Sequence, residues 1–264
     1  MTRSREALVW TAVAMVLGLA LLCAFAVAGW PGTPIDCTVL LCYCEASAPG
    51  LWKQPVNTWS NVAPLFAAVA VAHDVGRPGP VALPRALGLI FSLTLVFQGL
   101  GSMFFHASLM DWAGAVDAMS MFAIIGLLIA VNLFRGGALT ERGLLPFWLG
   151  FSIAGMGLGL VAAPVVGNAV GVFVVAVLVS EVWLHRRDRG LPKRWFRAGV
   201  VVFGVGVAVW HGSAIEGMPL CEPSSVWQGH ALWHVTSAAA IAMFFVHARR
   251  NLEHVALARS KPAM

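Results

Sequence analysis

The chain has 264 residues, of which 59% are hydrophobic and 11% charged, and its mean hydropathy is +0.81. Soluble domains carry about a quarter charged residues, so this composition excludes a water-soluble protein and points to an integral membrane one. The net charge of +5 resides in short loops and tails between apolar runs, with no basic-aromatic array, which argues for topology signals and lipid headgroups and against a nucleic-acid partner.

Apolar runs near the ~20 residues needed to cross a bilayer fall at 8–29, 57–73, 84–106, 112–134, 144–162, 165–184, 198–212 and 229–248. They predict an all-α, polytopic membrane helix bundle of eight spans. The first run follows Arg3 and Arg5 and ends on Ala26-Val27-Ala28, which resembles a signal-peptide cleavage site. Its length favours a retained anchor. With the N-terminus inside, all of the 17 Lys and Arg residues except Lys53 fall in inner segments. The positive-inside rule then places both termini in the cytoplasm.

The outer segments hold Cys37, Cys42, Cys44 and Cys221, while Cys23 lies in the first span. An even number of cysteines on the oxidising side favours disulfides over free thiols or a soft-metal site. The expectation is that Cys221 pairs with Cys44 or Cys42.

Two stretches place polar residues where lipid tolerates them least: Ser102 and His106 with Asp117 beyond them, and His230 with His234. Each four-residue spacing puts two side chains on one helix face. All lie toward the outer ends of their spans, and ionisable groups there usually face the bundle interior and mark a functional site. Three imidazoles suit catalytic zinc, which needs neutral nitrogen ligands and one open position. Asp117 could orient a ligand imidazole or take a proton. Ser102 could donate to bound water or to an oxyanion. Taken alone, one His near a helix end is an interfacial or hydrogen-bonded residue, which is the reading for His73, His185, His247 and His254; His211 is a candidate for support behind the ligands. A haem carrier fits badly, because histidines four apart on one helix are poorly placed to take opposite faces of one haem.

Gly99-Leu100-Gly101-Ser102-Met103-Phe104-Phe105-His106-Ala107-Ser108-Leu109 with Asp117, and His230 with Trp233-His234, resemble the ordered motifs of alkaline ceramidases. Cys44-Glu45 and Asn57-Thr58-Trp59-Ser60-Asn61 resemble two further elements of that family. The polar members of the second element could line the cavity or cap the helix they begin. The likeness runs from about residue 36 to 248 and extends to the wider superfamily of seven-helix hydrolases that includes the adiponectin receptors. It implies a seven-helix core plus one added N-terminal helix, Zn2+ on His106, His230 and His234, and an active site completed by Ser102 and Asp117.

The resemblance also implies a carboxylate-rich calcium site before the first core helix. Here the chain departs from the pattern: Glu45 matches, but Cys42, Tyr43, Ala46 and Ser47 surround it and Gln54 replaces an acidic residue. Ca2+ prefers several charged oxygens, so no strong calcium site is expected; Glu45 and Asn57 are candidates for a weak one or for support behind the zinc ligands. The implied organisation is an N-terminal transmembrane anchor over 1–30, an extracytoplasmic lid segment over 31–56, a seven-helix catalytic bundle over 57–248 and a cytoplasmic tail over 249–264. The implied activity is zinc-dependent cleavage of the amide of ceramide or a similar lipid drawn from the bilayer, giving a sphingoid base and a fatty acid. The alternatives are a related hydrolase for another acyl lipid, or a seven-helix receptor or sensor with structural zinc.

Overall fold

The computed structural model describes residues 3–36, 43–75, 77, 85–162, 165–214 and 216–260. Among these, the regular elements are helices: α1 (Arg3–Ala28), α2 (Pro55–Ser60), α3 (Val62–Val75), α4 (Arg85–Ser108), α5 (Asp111–Arg135), α6 (Glu141–Val161), α7 (Val166–Arg187), α8 (Arg194–Gly212) and α9 (Gly229–Ser260). Seven of them, α1 and α4 to α9, are long and apolar enough to cross a membrane. The protein is thus an all-α, multi-pass membrane bundle. Cys37 and Cys42 lie outside the described residues.

The second expected span differs in form. It is split into α2 and α3 at Asn61, and the 14 residues of α3 reach only ~21 Å at 1.5 Å per residue. The cause is Pro64, which lacks the N–H that would bond back to Ser60 and so favours the first turn of a new helix. The last turn of α2 instead closes through the Asn61 N–H on the carbonyls of Thr58 and Trp59.

Helix α4 is the axis of the bundle. Its spanning part is largely buried, whereas those of α1, α6, α7 and α8 are mostly exposed, as lipid-facing helices should be. Phe91 of α4 packs edge-on against Phe245 of α9 with ring centroids 5.2 Å apart. Two glycines bring neighbours close to α4. A Cβ on Gly99 would lie 2.9 Å from the Asn61 carbonyl, and one on Gly101 would lie 3.2 Å from Ser120 Cβ. Both contacts are tighter than an ordinary carbon side chain allows, so these positions set the depth at which α2–α3 and α5 meet the axis.

The end of α4 is closed by chain rather than water. A helix leaves its last carbonyls unpaired; here the N–H groups of Lys53 and Gln54 bond to the carbonyls of Ala107 and His106, each at 3.0 Å, and Ile35 bonds to that of Leu109 at 2.9 Å. A disulfide joins Cys44 to Cys221, and Ala46 N–H bonds to the Pro223 carbonyl at 3.0 Å. The segment before α2 is thereby tied to both α4 and the loop before α9.

Candidate functional site

His106, His230 and His234 converge as their spacing predicts. One ring nitrogen of each lies within 4.8 Å of those of the other two, and all three residues are buried. His106 comes from the last turn of α4, the other two from the first turns of α9. The Nε2 atoms of His106 and His230 face each other at 3.1 Å, a separation that requires a proton or a cation between them.

The outward nitrogens decide which. His106 Nδ1 donates to Gln54 Oε1 at 2.7 Å, which leaves its Nε2 as a lone pair aimed inward. His234 Nδ1 meets Ser60 Oγ at 2.7 Å, and the Ser60 hydroxyl itself donates to the Asn57 carbonyl at 2.9 Å. With its proton on Asn57, Ser60 Oγ can accept from His234 Nδ1–H and so direct the Nε2 lone pair inward. Asn61 Nδ2 sits 3.1 Å from the same Nδ1 and donates to the Asn57 carbonyl at 2.9 Å. His230 is held by stacking: the Tyr43 ring covers it at 3.6 Å with 16° between planes. Three buried imidazoles whose ring nitrogens converge on one space, two of them backed by side-chain oxygens, are the donor set and outer support that zinc selects.

Ser102 is one turn deeper on α4, its Oγ 3.4 Å from His234 Nε2. Asp117 enters from α5, and its carboxyl group lies against the Ser102 hydroxyl. Ser120, one turn on, donates to the Asp117 carbonyl at 2.7 Å. Tyr43 closes the remaining side; burial chiefly, and the nearby Asp117 carboxylate secondarily, raise its phenol above the ordinary range.

Glu45 and Asn57 behave differently from one another. The two Glu45 oxygens accept from the backbone N–H groups of Val56 at 2.8 Å and Asn57 at 2.7 Å, so this carboxylate caps the start of α2, as helix N-termini favour. Burial raises its pKa, and the two N–H bonds oppose that shift. The Asn57 side chain is buried with neither polar atom bonded. His211 stands apart, exposed on α8 with its ring against Trp210.

The supporting roles of Gln54 and Tyr43 escape a reading of the sequence, and that of Ser60 shows there only as cavity-lining or capping. Residues Asn57 to Asn61 present themselves in the chain as cavity-lining or capping groups, and only their polar run ahead of a glycine-rich α4 offers a clue to the support that Ser60 and Asn61 give His234.

A second group converges at the opposite end of the bundle, where Glu181 and His185 of α7 meet His247 of α9. Arg135 of α5 holds Glu181 with two bonds, 2.6 and 3.1 Å. Asn251 joins this group. Its Oδ1 accepts from Arg135 at 3.1 Å and its Nδ2 donates to the Pro192 and His247 carbonyls. The same Nδ2 lies 3.0 Å from His247 Nδ1. His247 Nε2 donates to the Glu181 carboxylate at 2.6 Å. Of the two readings for His185 and His247, interfacial or hydrogen-bonded, the second holds, and both join one buried network.

Between the two groups runs a cavity of about 150 Å³. It begins one turn below the first group, at Gln98, Met121 and Ser237, and ends on Arg135, Glu181 and His247. Its sides are mainly aliphatic and aromatic. Helix α7 packs on α5, and α8 on α9, while α7 and α8 scarcely touch each other, so the cavity flank between them is a seam facing lipid.

The family model described as Ceramidase matches residues 53–259, well over half of the chain and including every histidine and carboxylate of both groups. No curated protein matches the chain.

Proposed function

The chain belongs to the ceramidase family, a family of hydrolases, and from that premise we propose that it is a zinc-dependent amidohydrolase cleaving ceramide or a similar lipid amide. The observation that carries this reading is the convergence of ring nitrogens: His106, His230 and His234 bring one each to a single space whose rim holds a hydroxyl and a carboxylate. A structural metal site needs neither of those last two groups. Zinc held there would act as a Lewis acid on the amide carbonyl and make water acidic enough to serve as a nucleophile near neutral pH.

The chain's own residues supply the rest. Ser102 donates to the carbonyl oxygen as charge accumulates on it, the role that preorganised donors play in acyl transfer. Asp117 accepts the proton that the attacking water loses and passes it to the departing nitrogen, so the amine leaves neutral and the acyl half leaves as a fatty acid. Gln54 and Ser60 keep the imidazoles in the tautomer and orientation that binding requires. Tyr43 and the disulfide-tied segment exclude bulk solvent from one side. The seam between α7 and α8 admits an alkyl chain sideways from the bilayer, so the lipid need not leave the membrane to react. The lone Lys53 among outer basic residues supports cytoplasmic termini and a site toward the extracytoplasmic face.

The test is hydrolysis of a panel of ceramides and other acyl lipids by the purified chain in lipid nanodiscs, with metal content measured in parallel. Fatty acid release that a zinc chelator abolishes and zinc restores is the expected result. Stoichiometric zinc with no turnover of any lipid in the panel would favour the receptor or sensor alternative.

A further inference from the structure

The cavity ends on a charged surface, which is an odd terminus for a chamber lined mainly by Val, Leu, Ile and Phe. The Arg135 and Glu181 side chains are 2% and 4% exposed and that of His247 is 4% exposed. Together with Asn132 and Asn251 they bond across α5, α7 and α9. Opening the wall would separate Arg135 from Glu181 inside the bundle and leave buried charges unpaired, which is costly. A metal centre is the obvious competing use for Glu181, His185 and His247. The hydrogen bonds favour a structural network instead: Arg135 holds both Glu181 oxygens, and His247 Nε2 bonds one of them.

We propose that this wall is a chain-length stop, so that Arg135, Glu181 and His247 determine the longest acyl chain the protein accepts in the cavity. The inference rests on the hydrolase reading above, in which the amide carbonyl sits beside Ser102 and the chain descends from it. Met121, Ser237 and Gln98 open the cavity one turn below Asp117, His234 and Ser102 respectively, so the carbonyl end and the cavity mouth are adjacent on three helices. From His234 to His247 along α9 is ~20 Å at 1.5 Å per residue. A methylene advances an extended chain by ~1.3 Å, its ~1.5 Å bond projected on a zigzag, which puts the stop at roughly fifteen carbons. Because the chain enters from lipid rather than from water, shorter chains gain only the close packing of each methylene that fills the apolar stretch. Longer ones must fold back or leave by the α7–α8 seam, and the gain ends.

Two variants move the stop while keeping Arg135, Glu181, His247 and the catalytic group in place. Val177 lines the cavity one turn before Glu181 on α7, so Val177→Phe should shorten the accepted chain by about 5 Å, roughly four carbons. Phe196 lies against the wall, its ring 5.4 Å from that of His247, and Phe196→Ala should lengthen it.

The experiment measures binding and turnover separately for one series of N-acyl sphingoid lipids, from about eight to about twenty-four acyl carbons. Binding is read with full-length D117N in nanodiscs, so that no substrate is consumed, and turnover with the unaltered chain. A break in both profiles near fifteen carbons that moves shorter in V177F supports the proposal. A binding break without hydrolysis of any length supports the stop and rejects the hydrolase reading. Affinity that climbs smoothly through the predicted break, or a V177F variant that weakens all lengths equally, overturns the stop.

Discussion

The two buried groups at either end of the cavity use the same kinds of residue and arrive at opposite chemistry. At one end His106, His230 and His234 turn ring nitrogens toward one another, with Gln54 behind His106, Ser60 and Asn61 behind His234 and the Tyr43 ring over His230. At the other, His247 Nε2 is spent on Glu181, whose charge Arg135 already answers. What separates the two groups is therefore the partner each inward nitrogen meets, a paired carboxylate at one end and another imidazole at the other. Residue type alone does not distinguish them.

The sharpest break in this comparison comes from matched histidine changes. His230→Gln should lower turnover by at least about a thousandfold, the scale on which catalytic machinery fails when one member is lost, and should remove bound zinc while helical content stays normal. His247→Gln should leave zinc stoichiometry unchanged by elemental analysis. Loss of metal in the second variant and not the first would reverse the assignment of the two groups.

Next in size is Glu181→Gln. It leaves Arg135 buried without its carboxylate, a cost of about 3–5 kcal/mol, to be read as a lower unfolding midpoint in nanodiscs with metal content retained. Smaller again is Gln54→Ala, which takes the acceptor from His106 Nδ1 and should weaken zinc affinity about 10–100-fold by chelator competition. Ser60→Ala should fall at or below the lower end of that range, because Asn61 still contacts His234. An unchanged affinity in both variants would mean that neither neighbour orients its imidazole.

Much of the first group is legible in the chain because its members come in four-residue pairs on long apolar helices. Ser102 with His106, and His230 with His234, declare a shared face by their spacing alone. The same signal is present in Glu181 with His185 and in His247 with Asn251, yet nothing in a linear chain says that those faces meet, and each residue alone reads as an edge. Gln54 and Ser60 are illegible for another reason. Their positions follow from how Glu45 caps α2 and how Lys53 and Gln54 cap α4, both loop geometries without periodicity. The split between α2 and α3 is hidden because hydropathy counts Pro64 and Asn61 as mild interruptions, whereas the backbone treats the proline as a new beginning.

The bond between Cys44 and Cys221 carries information about parity. Two cysteines can join only if the chain between them crosses the bilayer an even number of times. Helices α4 to α8 account for five crossings between them, which is odd. The broken pair α2–α3, too short by length alone, must supply the sixth. A covalent link 177 residues long in sequence thus records the topology of everything it encloses, and a mobility shift on non-reducing gels would report whether a newly made chain has threaded all six in order.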